Sequence, residues 1–117
     1  MTEQVSNLIN EARSNVAAAQ SAVDHSLSYL KQQCLNEAGR LSGSKLDEYQ
    51  LVSYELAYCA AELAAAKSIC EYAERNRSQK GDIEDYYYED RFALQFCAEA
   101  VQNSRARLAV RPNEFGL

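Results

Sequence analysis

The sequence contains little proline and glycine, with one proline and four glycines in 117 residues. Proline breaks helices and glycine weakens them, so their scarcity, together with many alanines, favours helix over sheet. A chain of this length is near the common size of one domain and is long enough to bury its own core. We therefore expect residues 1–117 to form a single helical domain.

Features that would direct the chain to a membrane or to nucleic acid are also missing. No run of about eighteen apolar residues is present, which argues against a transmembrane helix. The N-terminal MTEQVSN lacks the basic region and apolar core of a signal peptide. The net charge is −5 and no basic stripe is visible, which argues against nucleic acid as a partner. The expected protein is soluble and cytoplasmic, without a membrane or nucleic-acid partner.

The sequence also lacks a recognisable metal-binding or catalytic motif. Its four cysteines form no Cys-x-x-Cys pair and no Cys/His metal spacing. They lie on apolar helical stripes, so we expect all four to be core residues without disulfides: Cys34, Cys59, Cys70 and Cys97. His25 is the only histidine, and no Glu-x-x-His sequence typical of di-iron bundles occurs. No catalytic residue and no metal ligand are therefore predicted.

Three segments carry the hydrophobic periodicity of helices, with apolar or small residues at alternating steps of three and four. They cover residues 2–35, 46–77 and 83–110, with breaks at 36–45 and 78–81. A short break between long helices is typical of antiparallel neighbours. The sequence therefore predicts an all-α fold, an up-down bundle of three long helices, or of three with a short fourth.

The second of these segments is predicted to be the central helix of the bundle. One apolar stripe consists of Tyr49, Val52, Leu56, Cys59, Leu63, Ala66, Cys70 and Ala73. A second, largely apolar face consists of Tyr54, Tyr58, Ala61, Ala65, Ile69 and Tyr72. Because a helix with two apolar faces packs between two partners, we expect the first stripe in the core and the second at a subunit contact.

The outer helices and the helix ends are predicted from the same pattern. In the first helix the expected core positions are Val5, Leu8, Ile9, Ala12, Val16, Ala19, Val23, Leu27, Leu30 and Cys34. In the third they are Ile83, Tyr87, Leu94, Cys97, Val101 and Leu108, with Asp90 and Ser104 interrupting the neighbouring row. Ser44 and Asp82 are the predicted N-caps of the second and third helices. Pro112 is expected to stop the third helix, and the tail after it is expected to pack little.

Several aromatic side chains have no place in the core of a bundle of three helices. The six most evident are Tyr54, Tyr58, Tyr86, Tyr88, Phe92 and Phe96. Helices of about thirty residues would be ~45 Å long, which is long and thin for a monomer of this size. We therefore expect these side chains to be buried between the subunits of a homo-oligomer, either a symmetric dimer or a tetramer.

Four segments resemble parts of one known family domain. They are NVAAAQSAVDHSLSYLKQQ at residues 15–33, EAGRLSGSKLDEYQ at 37–50, LVSYELAYCAAELAAAKSICEYAE at 51–74 and FALQFCAEAVQ at 92–102. In that order they are similar to the first helix, the linker, the second helix and the Ala-Val-Gln helix of the C-terminal domain of the acyl-CoA dehydrogenases. The resemblance implies a four-helix-type bundle that forms the core of a tetramer.

The resemblance also implies a part in an oxidoreductase system of fatty acid metabolism, in which FAD oxidises acyl-CoA thioesters. Gln50 matches the family's linker Gln, which contacts the flavin, and Arg40 follows Gly39, which holds the position of the linker Arg. Asn7 stands at one position of the family's catalytic Glu, and asparagine cannot act as a general base. The resemblance therefore implies a structural role, in which the chain is not catalytic by itself. FAD would be bound only in trans, together with a separate flavin-binding dehydrogenase subunit.

Two hypotheses of different classes remain open at this point. The first is the acyl-CoA dehydrogenase-like structural domain, and the second is a homo-oligomeric helical interaction module without a flavin or acyl-CoA role. Two charged segments also have alternative interpretations. Residues 82–91 form either a binding patch for a basic partner or a helix cap with interface aromatics. Arg105, Arg107 and Arg111 either hold a CoA phosphate or complement the negative end of the third helix.

Overall fold

The fold is an elongated helical bundle, seen in a computed structural model that describes residues 2–81 and 87–117. Its elements are α1 (Thr2–Gln33), α2 (Gly43–Glu48), α3 (Gln50–Lys80), α4 (Tyr88–Val110) and a 3₁₀ helix (Pro112–Phe115). The three long helices pack on one another in a molecule of 60 × 25 × 16 Å. The two described ranges contain no sheet, only one isolated bridge between Leu35 and Leu41. The predicted bundle of three long helices with a short one is confirmed.

Helix α3 packs against both α1 and α4, and its predicted core stripe is confirmed. The seven members of the stripe from Val52 to Ala73 are buried, while Tyr49 is half-buried. The predicted second face carries Tyr54 and Tyr72, which are exposed. Because side chains three and four residues apart share one side of a helix, the two stripes point to different sides of α3. The helix therefore packs one stripe into the bundle and leaves aromatic rings of the other on the surface.

The beginning of the central helix differs from the prediction. The pattern predicts one continuous helix from Lys45 or Leu46, whereas the chain forms the short α2, leaves helical geometry at Tyr49 and begins α3 at Gln50. The backbone of Tyr49 has φ −106° and ψ 22°. Periodicity does not reveal this break, because the apolar spacing continues across it without a change.

The N-cap of α2 also differs from the predicted Ser44. The cap is Ser42, whose Oγ accepts a hydrogen bond from the backbone N–H of Lys45 (3.4 Å). The Nζ atom of Lys45 donates to the backbone carbonyl of Leu35 (2.7 Å), which lies just beyond the end of α1. The first bond caps α2, and the second links α2 to the segment that follows α1.

Helix α1 presents most of its predicted core residues to the other helices. Those that are buried are Val5, Ile9, Val16, Val23, Leu30 and, just beyond the helix, Cys34. The prediction that Leu27 is a core residue is wrong, because its side chain is 42% exposed and Ser26 is buried instead. Both residues satisfy helical spacing from Val23, one at a step of three and the other at a step of four. The hydrophobic pattern predicts burial of the apolar residue, Leu27. The packing of the bundle determines that the position of Ser26 is the buried one.

Helix α4 contributes a core seam that is shifted from the predicted one. Tyr87, Cys97 and Leu108 are buried as predicted, whereas Leu94 and Val101 are only half-buried. The buried row consists of Asp90, Ala93, Cys97, Ala100, Ser104 and Leu108. The two polar residues predicted to interrupt the seam therefore belong to it. Small alanines in this row suit a close approach of α3 and α4, since interaxial distance depends on the side chains at the contact.

The N-terminus of α4 is closed by Tyr87. Residues 82–86 lie outside the described residues, and with them the predicted Asp82 cap, the predicted core residue Ile83 and the aromatic residue Tyr86. The backbone N–H of Tyr87 donates to Oδ2 of Asp90 (3.0 Å), which is one half of a capping box. The hydroxyl of Tyr87 donates to the carbonyl oxygen of Gly81 (2.9 Å). The same tyrosine therefore links the end of α3 to the start of α4.

The C-terminal tail packs on α1, so the expectation that it packs little is wrong. Pro112 begins a 3₁₀ helix that carries Phe115 into the hydrophobic core, where its side chain is fully buried. Gly116 has φ +69°, and a Cβ atom at this position would overlap the ring of Tyr29. Glycine tolerates both the positive φ and the nearby ring, because it has no Cβ atom. The close approach of backbone to ring therefore depends on Gly116.

Candidate functional site

The two residues implied as flavin contacts lie at one end of the bundle, where α1 connects to α3. Both Arg40 and Gln50 are exposed. The loop before them is ordered by Asn36, whose Oδ1 accepts hydrogen bonds from the backbone N–H groups of Ala38 (2.9 Å) and Arg40 (3.0 Å). The connection thus presents Arg40 to solvent from a loop with defined hydrogen bonds, and Gln50 is presented from the first residue of α3.

His25 serves the packing of the tail. Its Nε2 lies 3.0 Å from the carbonyl oxygen of Gly116, at hydrogen-bond distance. In the part of the chain that the structure describes, no group of three or more His, Cys, Asp or Glu residues is placed to hold a metal ion. No helix in the described ranges has the length and apolarity needed to span a membrane. The one histidine is therefore a contact between α1 and the C-terminal segment.

The arginines near the end of α4 make separate interactions. Arg107 forms an ion pair with Glu55 on α3, and its guanidinium lies 3.9 Å from the centre of the Tyr58 ring. The hydrogen bond to this carboxylate raises the pKa of Arg107 above its ordinary value. Arg111 pairs with Glu114, with 3.1 Å between Nε and Oε2. These partners support the interpretation of helix-end charge and ion pairing over that of a phosphate site.

An aromatic face lies on the surface between α3 and α4. We define it by Ile69 and Tyr72 on α3 and by Tyr88, Phe92 and Phe96 on α4. Adjacent rings stack along α4 with centroids 6.4 Å apart, and their planes are inclined by 22° and 24°. The first four of these residues line a depression of about 390 Å³ together with Ser68 and Glu89. Tyr88 is 78% exposed and Phe92 is 49% exposed, so much of this apolar surface faces water.

The groove between α3 and α4 continues beyond the aromatic face with a mixed polar and aromatic lining. Tyr58 lines it, and the centroid of its ring lies 6.1 Å from that of the exposed Tyr54 ring. Nδ2 of Asn103 donates to a carboxylate oxygen of Glu62 across the groove (3.0 Å). Together with the ion pair of Arg107, this bond satisfies polar groups of the groove within the chain. The aromatic face therefore stands out as the apolar half of this surface.

A buried ion pair connects α3 to the start of α4. Arg77 binds the carboxylate of Asp90, and their side chains are 11% and 2% exposed. The guanidinium carbon of Arg77 also lies 5.3 Å from the centre of the Tyr87 ring. Asp90 accepts the capping hydrogen bond of α4 as well. The carboxylate that interrupts the apolar pattern thus has charged and backbone partners in the core.

Two of the four cysteines meet between α3 and α4. All four are buried as predicted, and Sγ of Cys70 lies 3.2 Å from Sγ of Cys97. The thiol of Cys97 is also 3.8 Å from the carbonyl oxygen of Ala66. The hydrogen bond between the thiols lowers the pKa of Cys70 and raises that of Cys97, while burial raises the pKa of both. The two thiols therefore interact directly inside the core.

Sequence reasoning missed both the ion pair and the cysteine contact, although one signal for them exists. Cys70 lies seven residues before Arg77, and Cys97 lies seven residues after Asp90. A single antiparallel register of α3 on α4 therefore produces both contacts, because seven residues make two helical turns. Pairing the opposite charges of Arg77 and Asp90 across the hairpin would have set this register and placed the cysteines together.

These features define the class of the protein as an all-α bundle of three long helices with an exposed aromatic face. Comparison of the chain with protein-family models, with curated proteins and with solved structures found no match. The resemblance to the C-terminal domain of the acyl-CoA dehydrogenases therefore remains a hypothesis that depends on the four segments quoted above.

Proposed function

We propose that this chain is a structural helical-bundle domain that self-associates through its aromatic face. The observation that carries the proposal is the stack of Tyr88, Phe92 and Phe96 beside Ile69 and Tyr72. Contiguous exposed apolar patches of this kind mark interaction sites, and aromatic residues are enriched at the cores of interfaces. Burial of each such side chain contributes about 1.5–3 kcal/mol. Several rings buried together offset the entropic cost of association.

A second copy of the chain is the occupant that suits this face. Polar groups further along the groove already bind each other, Arg107 with Glu55 and Asn103 with Glu62, which favours a partner that is itself largely apolar. A two-fold axis would bring the same patch of both subunits together, with rings against rings. A molecule 60 Å long and 25 Å wide is large enough to provide the roughly 800 Å² per partner of a stable interface.

The oligomeric state tests this proposal directly. Light scattering of the wild-type protein should give a dimer or tetramer at concentrations on the order of tens of micromolar. Phe92→Asp should raise the dissociation constant about 100-fold or more, because each subunit loses apolar burial and two like charges meet at the axis. Its fold should be retained, since Phe92 is half-exposed, and circular dichroism checks this.

Leu27→Asp provides the matched control, since Leu27 is exposed to a similar degree on α1, away from the face. The control should associate like the wild type. A wild-type monomer at these concentrations would sink the proposal. Equal weakening by both substitutions would show that the association does not use the aromatic face.

A second candidate function is a part in a flavin-dependent acyl-CoA oxidation system, with a separate dehydrogenase subunit that holds most of the FAD site. The observation that favours it is the placement of Arg40 and Gln50, which are both exposed at one end of the bundle. Side chains there are accessible to a cofactor carried by another subunit. The bundle would supply contacts and oligomerisation, and the partner would supply the catalytic base.

Titration with FAD and with an acyl-CoA thioester tests this second candidate, with flavin absorbance and calorimetry as the measurements. The expected result is weak binding that Arg40→Ala and Gln50→Ala reduce severalfold, while Arg75→Ala on the exposed surface of α3 leaves it unchanged. Colourless protein without heat of binding for either compound contradicts the flavin role. That outcome leaves self-association unaffected, so the two functions are tested separately.

A further inference from the structure

The contact between Cys70 and Cys97 joins the two helices that carry the aromatic face. Their sulfur atoms are 3.2 Å apart, and both side chains are buried in the core. We propose that these two thiols form a reversible disulfide between α3 and α4 when the protein meets a peroxide. The proposal is independent of the function proposed above, because it rests on the buried thiol contact and not on the aromatic face.

The geometry of the pair is close to that of a disulfide. A disulfide bond is about 2.03–2.05 Å long, so the sulfur atoms must approach by a little more than ~1 Å. Rotation about the side-chain bonds of the two cysteines is the movement that would close this gap. The ion pair between Arg77 and Asp90 lies two turns away and holds α3 and α4 in the same register. The pair is therefore pre-positioned by the packing of the hairpin.

Each cysteine of the pair borders a surface depression, although the side chains are buried, with exposures of 0% for Cys70 and 2% for Cys97. Cys70 lines a groove of about 610 Å³ between α1 and α3, which Arg13 and Lys67 also line. Cys97 lines a separate depression between α1 and α4. Peroxide is small enough to enter the first groove, where Arg13 is paired with Glu74. Cys70 borders the larger of the two depressions, so we assign the first reaction to Cys70 and the resolving step to Cys97.

The chemistry balances with hydrogen peroxide as the oxidant. The Cys70 thiolate attacks one peroxide oxygen, which forms an S–O bond, breaks the O–O bond and releases hydroxide. The Cys97 thiol then attacks the sulfur of the resulting sulfenic acid, which forms the S–S bond and releases water. The two sulfur atoms together lose two electrons, and the peroxide gains them. A dithiol such as dithiothreitol reverses the reaction by thiol–disulfide exchange.

Formation of the bond would cross-link the hairpin of α3 and α4. It closes a loop between residues 70 and 97, which restricts the unfolded chain and raises the temperature of unfolding. The expected increase is about 10 °C for a loop of this size in a domain of this length. The oxidised form would therefore hold α3 and α4 together more firmly than the reduced form.

Peptide mass spectrometry of the folded protein after peroxide treatment tests the proposal. The expected product is a linked pair of peptides that contain Cys70 and Cys97, with two free thiols left per chain at Cys34 and Cys59. Melting followed by circular dichroism should show the increase of about 10 °C, and dithiothreitol should reverse it. These measurements use the wild-type protein and so do not depend on the folding of a variant.

Variants separate this pair from the other thiols. Cys97→Ala should abolish both the linked peptides and the thermal shift, whereas Cys59→Ala should keep both. Three results would overturn the proposal: four free thiols after oxidation of the folded protein, a bond between chains in place of the internal one, or sulfinic acid at Cys70 without the linkage.

Discussion

Replacement of Asp90 with alanine should lower the free energy of unfolding by about 3 kcal/mol. The carboxylate binds Arg77 in a place where both side chains are largely buried, and it accepts the capping hydrogen bond of α4 from Tyr87. Loss of Asp90 removes the charge partner of a buried guanidinium and one cap of the helix at the same time. Urea denaturation followed by circular dichroism at 222 nm measures the change.

Asp90→Asn separates the two roles of this residue. The asparagine side chain keeps an oxygen that accepts the backbone N–H of Tyr87, so this variant loses the charge but retains the cap. It should be intermediate in stability between the wild type and Asp90→Ala. Glu99→Ala on the exposed side of α4 is the control and should change stability by no more than about 0.5 kcal/mol. A loss below about 1 kcal/mol for Asp90→Ala would contradict the structural role of the ion pair.

Replacement of Phe115 with alanine should also lower the free energy of unfolding by about 3 kcal/mol or more. Phe115 is the largest of the fully buried side chains and carries the tail into the core beside α1. The substitution removes apolar burial and leaves a cavity, and both terms destabilise the folded state. The same urea denaturation experiment measures the effect.

Leu117→Ala is the matched control for the tail, because Leu117 is half-exposed only two residues further on. It should change the free energy of unfolding by a few tenths of a kcal/mol, in the range of ordinary surface substitutions. If Phe115→Ala behaved like Leu117→Ala, the tail would not be part of the core. A large effect of Phe115→Ala alone supports the packing of the C-terminal segment on α1.

The hairpin of α3 and α4 carries both the proposed self-association surface and the proposed disulfide. It presents the aromatic face on one side, and it holds the thiol contact and the ion pair in its interior. Self-association depends on the exposed rings, whereas cross-linking depends on the buried sulfur atoms. Substitution of Phe92 should therefore affect self-association without affecting the cross-link. Substitution of Cys97 should affect the cross-link without affecting self-association.

The helical class and the core stripe of α3 could be predicted from the sequence, because helical periodicity is a local property. Steps of three and four from Val52 to Ala73 place side chains on one side of any regular helix, whatever its neighbours are. The exposed aromatic rings were also predictable, since Phe92 lies off the main stripe of α4. Local spacing is sufficient for statements of this kind.

Positions at the edge of a stripe could not be predicted in the same way. Ser26 and Leu27 both fit the helical pattern, and the choice between them depends on how α1 is rotated against the rest of the bundle. The packing of the tail could not be predicted either, because burial of Phe115 depends on the position of α1, which is distant in sequence. These outcomes follow from contacts between residues that are distant in sequence.

The sequence by itself determined three amphipathic helices, their approximate lengths and the surplus of aromatic side chains. Only the tertiary structure decided that Asp90 belongs to the core, because a buried carboxylate is stable only where a partner such as Arg77 reaches it. It likewise decided that Cys70 meets Cys97. The physical reason is the register between helices, which depends on the fit of two surfaces and the closure of the connecting segments, whereas helix formation depends on neighbours three and four residues away.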